Sequence, residues 1–368
     1  MEFKIEEPDK KIGQEIKANW DRVAKPLDGL GQFETMFAQI GAITGSSSLS
    51  IEKKVILTIC ADNGIVAEGV SQSGQEVTAV VAGFMGQQAS SVGKMARRAG
   101  VDVIPVDIGI NTKETLLGVR DCKVMQGTRD FLQEPAMTEE EALQALSVGI
   151  DLVRECKDKG YQLIGTGEMG IGNTTPAAAM SAVLTGLPPE EATGRGAGLS
   201  DAGLEKKKKA VEMAVSRFYG KYPEYRNGTK EQYERGELSA VTVLAELGGF
   251  DLAGMTGLFL GGAAAKIPVL MDGFLSTVSG LLAVLIRKEA KDYIFASHIS
   301  TEPAGAAILQ MLDLPAPLHM GMHLGEGSGA VAMIPLLRMG AKVYEEMSTF
   351  SDISVEQYVD YQEKGERP

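Results

Sequence analysis

Apolar residues recur at near-helical steps at the start of the chain: Ile12, Ile16 and Trp20, then Phe33, Met36, Phe37 and Ile40. That spacing predicts two amphipathic helices within residues 1–44, with Pro26 and the Gly29/Gly31 pair marking the turn between them. At Lys54 the pattern changes. Val55-Ile-Leu-Thr-Ile-Cys60 is a short unbroken apolar run, the kind that forms a strand buried on both faces. Similar runs follow at Val103–Ile108, Gln162–Gly165, Ile267–Met271 and Tyr293–Ala296. Helical segments are expected between most of them, at 75–99, 138–158, 174–185, 201–218 and 230–247. Strands alternating with longer helices predict an α/β fold, a parallel sheet with helices on both faces. Ligands of such sheets sit beyond the carboxyl ends of the strands.

Composition adds bounds. The 368 residues are 44% hydrophobic and 23% charged, which suits a large globular domain with a smaller unit attached. Lys and Arg number 36 against 49 Asp and Glu, a net charge of −13 that repels nucleic-acid backbones and anionic lipid. Neither is expected as a partner. Cys60, Cys122 and Cys156 lie far apart and form neither a disulfide framework nor a zinc pattern, which fits a reducing compartment. Met1 to Lys11 is charged, and Lys266, Pro268 and Asp272 interrupt the most apolar stretch, Leu252 to Ile286. The expectation is a soluble cytoplasmic protein. The 44 glycines gather at 165–172, 194–203, 248–262 and 321–329, where backbone has to come close to something.

Four segments can carry chemistry. Gly165-Thr-Gly-Glu168-Met-Gly170-Ile-Gly172-Asn173-Thr174-Thr175-Pro176 follows an expected strand and opens a helix. Pro176 suits the first turn, and Asn173, Thr174 or Thr175 would cap it. Free N–H groups and the helix dipole make such a turn a phosphate cradle, although an ordinary strand-to-helix turn looks the same. It is not a P-loop, and the acidic ribose partner of a dinucleotide fold is not evident. Gly194-Arg-Gly196-Ala-Gly198-Leu-Ser200-Asp201 precedes four lysines, Lys206 to Lys209. These run right round a helix, so most face solvent while one can reach an anion. Leu324-Gly-Glu326-Gly-Ser-Gly-Ala330 frames a carboxylate with glycines that let a substrate approach, as a general base requires. On spacing alone Glu326 is equally a residue favouring a helix N-terminus. Asp62 and Asn63 read as a turn at a strand end, and His298, His319 and His323 are too scattered for a metal site.

Taken together, these segments resemble the nicotinate-nucleotide:dimethylbenzimidazole phosphoribosyltransferases. The resemblance is carried by Ala61-Asp-Asn-Gly64, Glu168 to Ala179, Pro268 to Phe274, Ser297 to Glu302 and Leu324 to Ala330, in the family's order. It extends from Lys25-Pro26 to about Leu337. It implies a Rossmann-like sheet over 45–337 and a small helical domain built from 1–44 and 338–368. It also implies a dimer that works without metal or redox cofactor. The family transfers phosphoribose from nicotinate mononucleotide to an aromatic base, giving an α-linked nucleotide for the lower ligand of cobamides. By the same resemblance Glu326 is the catalytic base. Gly170, Gly172, Asn173, Thr174 and Thr175 would line the phosphate and ribose site, with Gly196 and Lys207 nearby and Ser297 at the nicotinate end. Ser73, Val81 and Met169 would border the acceptor.

The chain departs from the family's pattern at three places. Asn63 stands where His is usual, His323 where Arg is common, and Val81 where well-known relatives place a Gln near the base. An apolar residue there removes a hydrogen bond to a ring nitrogen and loses little with a phenol. Some members attach phenol or p-cresol as heteromeric pairs, so that acceptor, or a silent subunit partnering an active paralogue, stands as the alternative. A nicotinamide-dependent oxidoreductase rests on fold analogy alone.

Overall fold

The computed structural model describes residues 4–359. The chain opens with two helices, α1 (Lys10–Arg22) and α2 (Gln32–Thr44), as the periodicity predicts. It then enters β1 (Lys54–Ala61), whose eight residues are all buried. There follow α3 (Glu76–Gly86), α4 (Ser91–Ala99), β2 (Asp102–Gly109), β3 (Arg120–Asp121), α5 (Glu139–Asp158) and β4 (Leu163–Met169). Five helices come next: α6 (Thr174–Thr185), α7 (Pro189–Ala192), α8 (Asp201–Lys221), α9 (Lys230–Glu234) and α10 (Ala240–Leu247). The last third holds α11 (Phe250–Ala265), β5 (Val269–Met271), α12 (Phe274–Ile286), β6 (Ile294–Ala296), α13 (Pro303–Leu312) and α14 (Ser328–Glu346).

All six strands are parallel, in the order β3-β2-β1-β4-β5-β6. The chain therefore builds outward from β1 in one direction and then returns to build from β4 in the other. The crevice at that reversal, beyond the carboxyl ends of β1 and β4, is where such sheets bind ligands. Alternation along β1 shows both faces covered: Ile56 packs on the backbone at Gly327, at the head of α14, while Ile59 packs on Gly254 of α11. Helix α5 lies on α11 at close range, because a Cβ at Gly149 or Gly257 would strike the facing helix's carbonyls.

Two expectations need correction. The segment 75–99 is two helices, broken at Gln87–Ser90 where Gln88 turns left-handed (φ 55°). The segment 230–247 is also two, separated by Arg235–Ser239. Strand β3, two residues long, carries no pattern to read. Around α1 and α2, Trp20 is fully buried against Phe37 and against Tyr344 from the far end of α14. The backbone of Ser348–Phe350 bonds back to Arg22 and Ala24. Helix α14 runs unbroken through residue 338, where the two domains were expected to divide, and of the terminal segments assigned to the small domain, 1–3 and 360–368 lie outside the described residues.

Candidate active site

At the reversal point lies a cleft of about 360 Å³. Its floor is the end of β4, Glu168 and Met169, continuing through Gly170–Asn173 into α6. The first turn of α6 has no side-chain cap, contrary to the expectation from Asn173, Thr174 and Thr175. The Asn173 amide is turned away, donating to Glu168 Oε2 and to Asp251 Oδ2 (2.8 Å). In this turn the Thr175 N–H donates to the Gly172 carbonyl (3.0 Å) and Pro176 has no N–H, and no side chain closes the helix start.

A second polar group is built from α6, α8 and the loop between them. Of the four lysines, Lys207 is fully buried; its ammonium donates to Thr174 Oγ1 (2.8 Å) and the Gly194 carbonyl (2.9 Å). Burial pushes its pKa down to about 8, against the pull of the Glu302 carboxylate. Lys206 and Lys209 are exposed, as a helix-encircling run requires. Ser200 caps α8 through the Gly203 amide. Gly196 stands beside Thr174 and Lys207, and its N–H donates to Glu302 Oε1 (2.8 Å). Glu302, a buried carboxylate on the cleft wall with its other oxygen unpartnered, closes the Ser297–Glu302 segment of the resemblance, which assigns it no role.

Glu326 borders the cleft where it packs on the end of β4, and is 9% exposed. Its backbone is left-handed (φ 62°), between Gly325 (φ 82°) and Gly327 (φ 95°). A non-glycine residue held there costs about 1–3 kcal/mol, strain of the kind that collects at functional sites. Three bonds hold it. The Glu326 N–H donates to the Glu168 carbonyl (3.2 Å), its carbonyl accepts from Thr58 Oγ1 (3.1 Å), and its Oε2 accepts from the Val92 N–H in the first turn of α4 (3.0 Å). Gly167 permits the passage, since a Cβ there would meet the Glu326 carbonyl.

The half-buried Glu168 and the buried Asp251 and Asp272 lie near one another beside Glu326. Burial, then the Asp251 charge, pushes Glu168 up to about 8, with the Asn173 amide opposing. Asp251 is raised to about 6 and Asp272 to about 7, both by burial against the hydrogen bonds they accept. Near neutral pH this cluster holds protons that exposed carboxylates would have lost.

Ser73, Val81 and Met169 all border the cleft, as do Gly170, Gly172, Asn173, Thr174 and Gly196. Thr175, Lys207 and Ser297 do not border it and lie behind its wall. Thr175 is fully buried, and the Ser297 hydroxyl bonds to the Asp272 carbonyl (3.2 Å) and His298 Nδ1 (3.1 Å), leaving His298 and Ser300 to face the cleft. His323 is exposed on the rim. Asp62 and Asn63 are buried rather than a surface turn, Asp62 Oδ2 accepting from the Asn111 amide (2.8 Å). A strained carboxylate bordering the cleft, and a buried ammonium held just behind its wall at Thr174 and Gly196, suit an anionic, polar substrate and a proton-transfer step.

Comparison with known proteins agrees. A family model described as "Phosphoribosyltransferase" matches residues 5–355. The nicotinate-nucleotide–dimethylbenzimidazole phosphoribosyltransferase of Clostridium acetobutylicum is 39% identical over 350 residues, 95% of each chain. That of Citrifermentans bemidjiense is 39% identical over 354 residues, 96% of this chain and 97% of its own. The crystal structure of CobT from Thermus thermophilus superposes with a TM-score of 0.85 at 34% identity, over 95% of this chain and all of that one.

Proposed function

Because this chain belongs to the phosphoribosyltransferase family that its residues 5–355 match, we propose that its cleft transfers phosphoribose from nicotinate mononucleotide to dimethylbenzimidazole, an aromatic base destined for a cobamide. One ring nitrogen of the acceptor attacks C1′ of the ribose. The C1′–N bond to the pyridinium breaks, and its electron pair returns to that ring, which leaves as nicotinate and needs no acid. The proton on the acceptor's other nitrogen passes to Glu326. A single base closes the balance.

The observation that carries this reading is Glu326 itself: a carboxylate on strained backbone, one oxygen anchored to α4, facing a cleft with an anion end. In this reading Lys207, Thr174, Gly196 and the start of α6 receive the phosphate, with Gly170, Gly172 and Asn173 along the ribose. Thr175 and Ser297 support the wall from behind. Ser73, Val81 and Met169 border the acceptor ring. The Glu326 carboxylate also balances positive charge growing on the sugar.

The same reading makes the protein a dimer in the cytoplasm. Three unpaired cysteines accord with a reducing compartment, and Val80 and Phe84 of α3, with Leu117, give an exposed apolar face to test as the contact. No helix among the described residues is long and apolar enough to cross a membrane. The test is one incubation of the purified chain with nicotinate mononucleotide and equal amounts of dimethylbenzimidazole, adenine, phenol and p-cresol, with products resolved by mass. The expected product is the benzimidazole nucleotide, with equimolar nicotinate. A phenolic product would transfer the chain to the oxygen-linking alternative, and no acceptor-dependent nicotinate release from folded protein would overturn the reading.

A further inference from the structure

We propose that Asp272 is the positioning residue of this reaction, its carboxylate clamping the head of α14 and thereby fixing the turn that presents Glu326. The proposal rests on the reading of Glu326 as the base. Gly327 stands at the cap position of helix α14 and has no side chain to cap it, and the hydroxyl of the first helical residue, Ser328 Oγ, is buried without a partner. The cap comes instead from another strand. Asp272 follows the last residue of β5, and its two oxygens divide the work: Oδ2 accepts from the Gly327 N–H (3.1 Å) and Oδ1 from the Gly329 N–H (2.6 Å).

Gly327 is bonded directly to Glu326, and 325–327 are three consecutive left-handed residues. Nothing in the local chain favours that run at a glutamate, so an outside tether has to hold it. Asp272 is itself immobile. It is 2% exposed, its N–H donates to Thr166 Oγ1 (3.2 Å), and its carbonyl accepts from the Ser297 hydroxyl (3.2 Å). Thr166 is locked in turn by Ser276 (2.8 Å). The clamp thus transmits the position of β4, β5 and β6 to the catalytic turn.

The same contact explains the second glycine of Glu-Gly-Ser-Gly, Gly329. A Cβ at Gly329 would collide with His298 and with Asp272 Oδ1, so only glycine lets the carboxylate reach both amides. It also explains why a carboxylate is needed. Both partners are donors, and an amide in its place would turn its own N–H₂ toward one of them. The amides of the helix start oppose the upward push of burial on Asp272.

The test is Asp272→Asn in the full chain, with kcat and KM for both substrates, nicotinate mononucleotide affinity by calorimetry, and the melting temperature. A misaimed base slows the chemical step without removing binding contacts, so kcat is expected to fall roughly 10- to 100-fold. Affinity for nicotinate mononucleotide should stay within about threefold, because the anion end is untouched. If that variant does not fold, Asp272→Ser, whose hydroxyl keeps one acceptor, takes its place with the same readouts. An unchanged kcat, or kcat and affinity falling in parallel, would overturn the proposal while leaving the proposed function intact. A wild-type protein without transferase activity would sink both.

Discussion

The Val92 amide donates to Glu326 Oε2 at 3.0 Å, joining the first turn of α4 to a carboxylate 234 residues further along the chain. One carboxylate oxygen is thereby committed to orientation, and in the proposed reaction the other takes the proton. The head of α4 is ordered by Ser90, whose side chain accepts from the Gly93 N–H (3.2 Å). Ser90→Ala removes that cap and should cost about 1 kcal/mol of stability. We expect kcat to fall a few-fold with little change in the KM for nucleotide, read by steady-state kinetics beside denaturant unfolding.

Lys207 sets a pH limit on nucleotide binding. With its pKa pushed down to about 8 by burial, the free protein loses this positive charge as pH rises through that value. A bound phosphate favours the ammonium, so the Kd for nicotinate mononucleotide should be flat near pH 7 and then weaken above pH 8, by at most about tenfold per pH unit. Lys207→Met should bind at least about tenfold more weakly and show no such rise. Calorimetry between pH 6.5 and 9.5 checks both.

The buried carboxylates reverse the usual pH profile of stability. Glu168 is raised from an ordinary 4.5 to about 8, so between these values the folded protein holds a proton that the unfolded chain has released. Its contribution is therefore fully present below about pH 4.5 and is lost as pH rises through 8. Asp251 and Asp272 act in the same direction. Glu168→Gln removes one of these groups. The fall in melting temperature from pH 5.5 to 8.5 should be smaller in the variant by a few degrees, and equal slopes would show that Glu168 is ionised throughout.

Much of this scaffold can be read from the chain because its signals are local. The helix pair around Trp20 has a clean apolar stripe, β1 is an unbroken apolar run, and α6 lies between a glycine turn and Gly186, so its bounds come out as Thr174–Thr185. Helices α11 and α12 are buried nearly all round and show no 3.6-residue period to find. At the site, Glu326 and Lys207 stand out through their glycine or lysine neighbours and through family resemblance. The Val92 amide does not, since a backbone N–H leaves no mark in a sequence. Asp272, just after β5, and Glu302, at the head of α13, reach partners far along the chain, and Ser297 is buried while its neighbours His298 and Ser300 border the cleft.

Val81 addresses the choice of acceptor. It borders the cleft with Ser73 and Met169 and offers no hydrogen bond to a ring nitrogen. Val81→Gln adds one. The ratio of kcat/KM for dimethylbenzimidazole over phenol should then rise roughly two- to tenfold, the span of a hydrogen bond's net 0.5–1.5 kcal/mol. Competition between the two acceptors in one tube, read by product mass, measures that ratio directly.

The central claim is that Glu326 takes the acceptor's proton during phosphoribosyl transfer. Glu326→Gln keeps the shape and the acceptor for the Val92 amide but removes the base, so the measurement is acceptor-dependent nicotinate release by this variant beside its affinity for nicotinate mononucleotide. The account predicts release reduced by roughly 10²- to 10⁴-fold, with affinity and melting temperature close to wild type. Release within tenfold of wild type by a variant that binds nucleotide normally would contradict it.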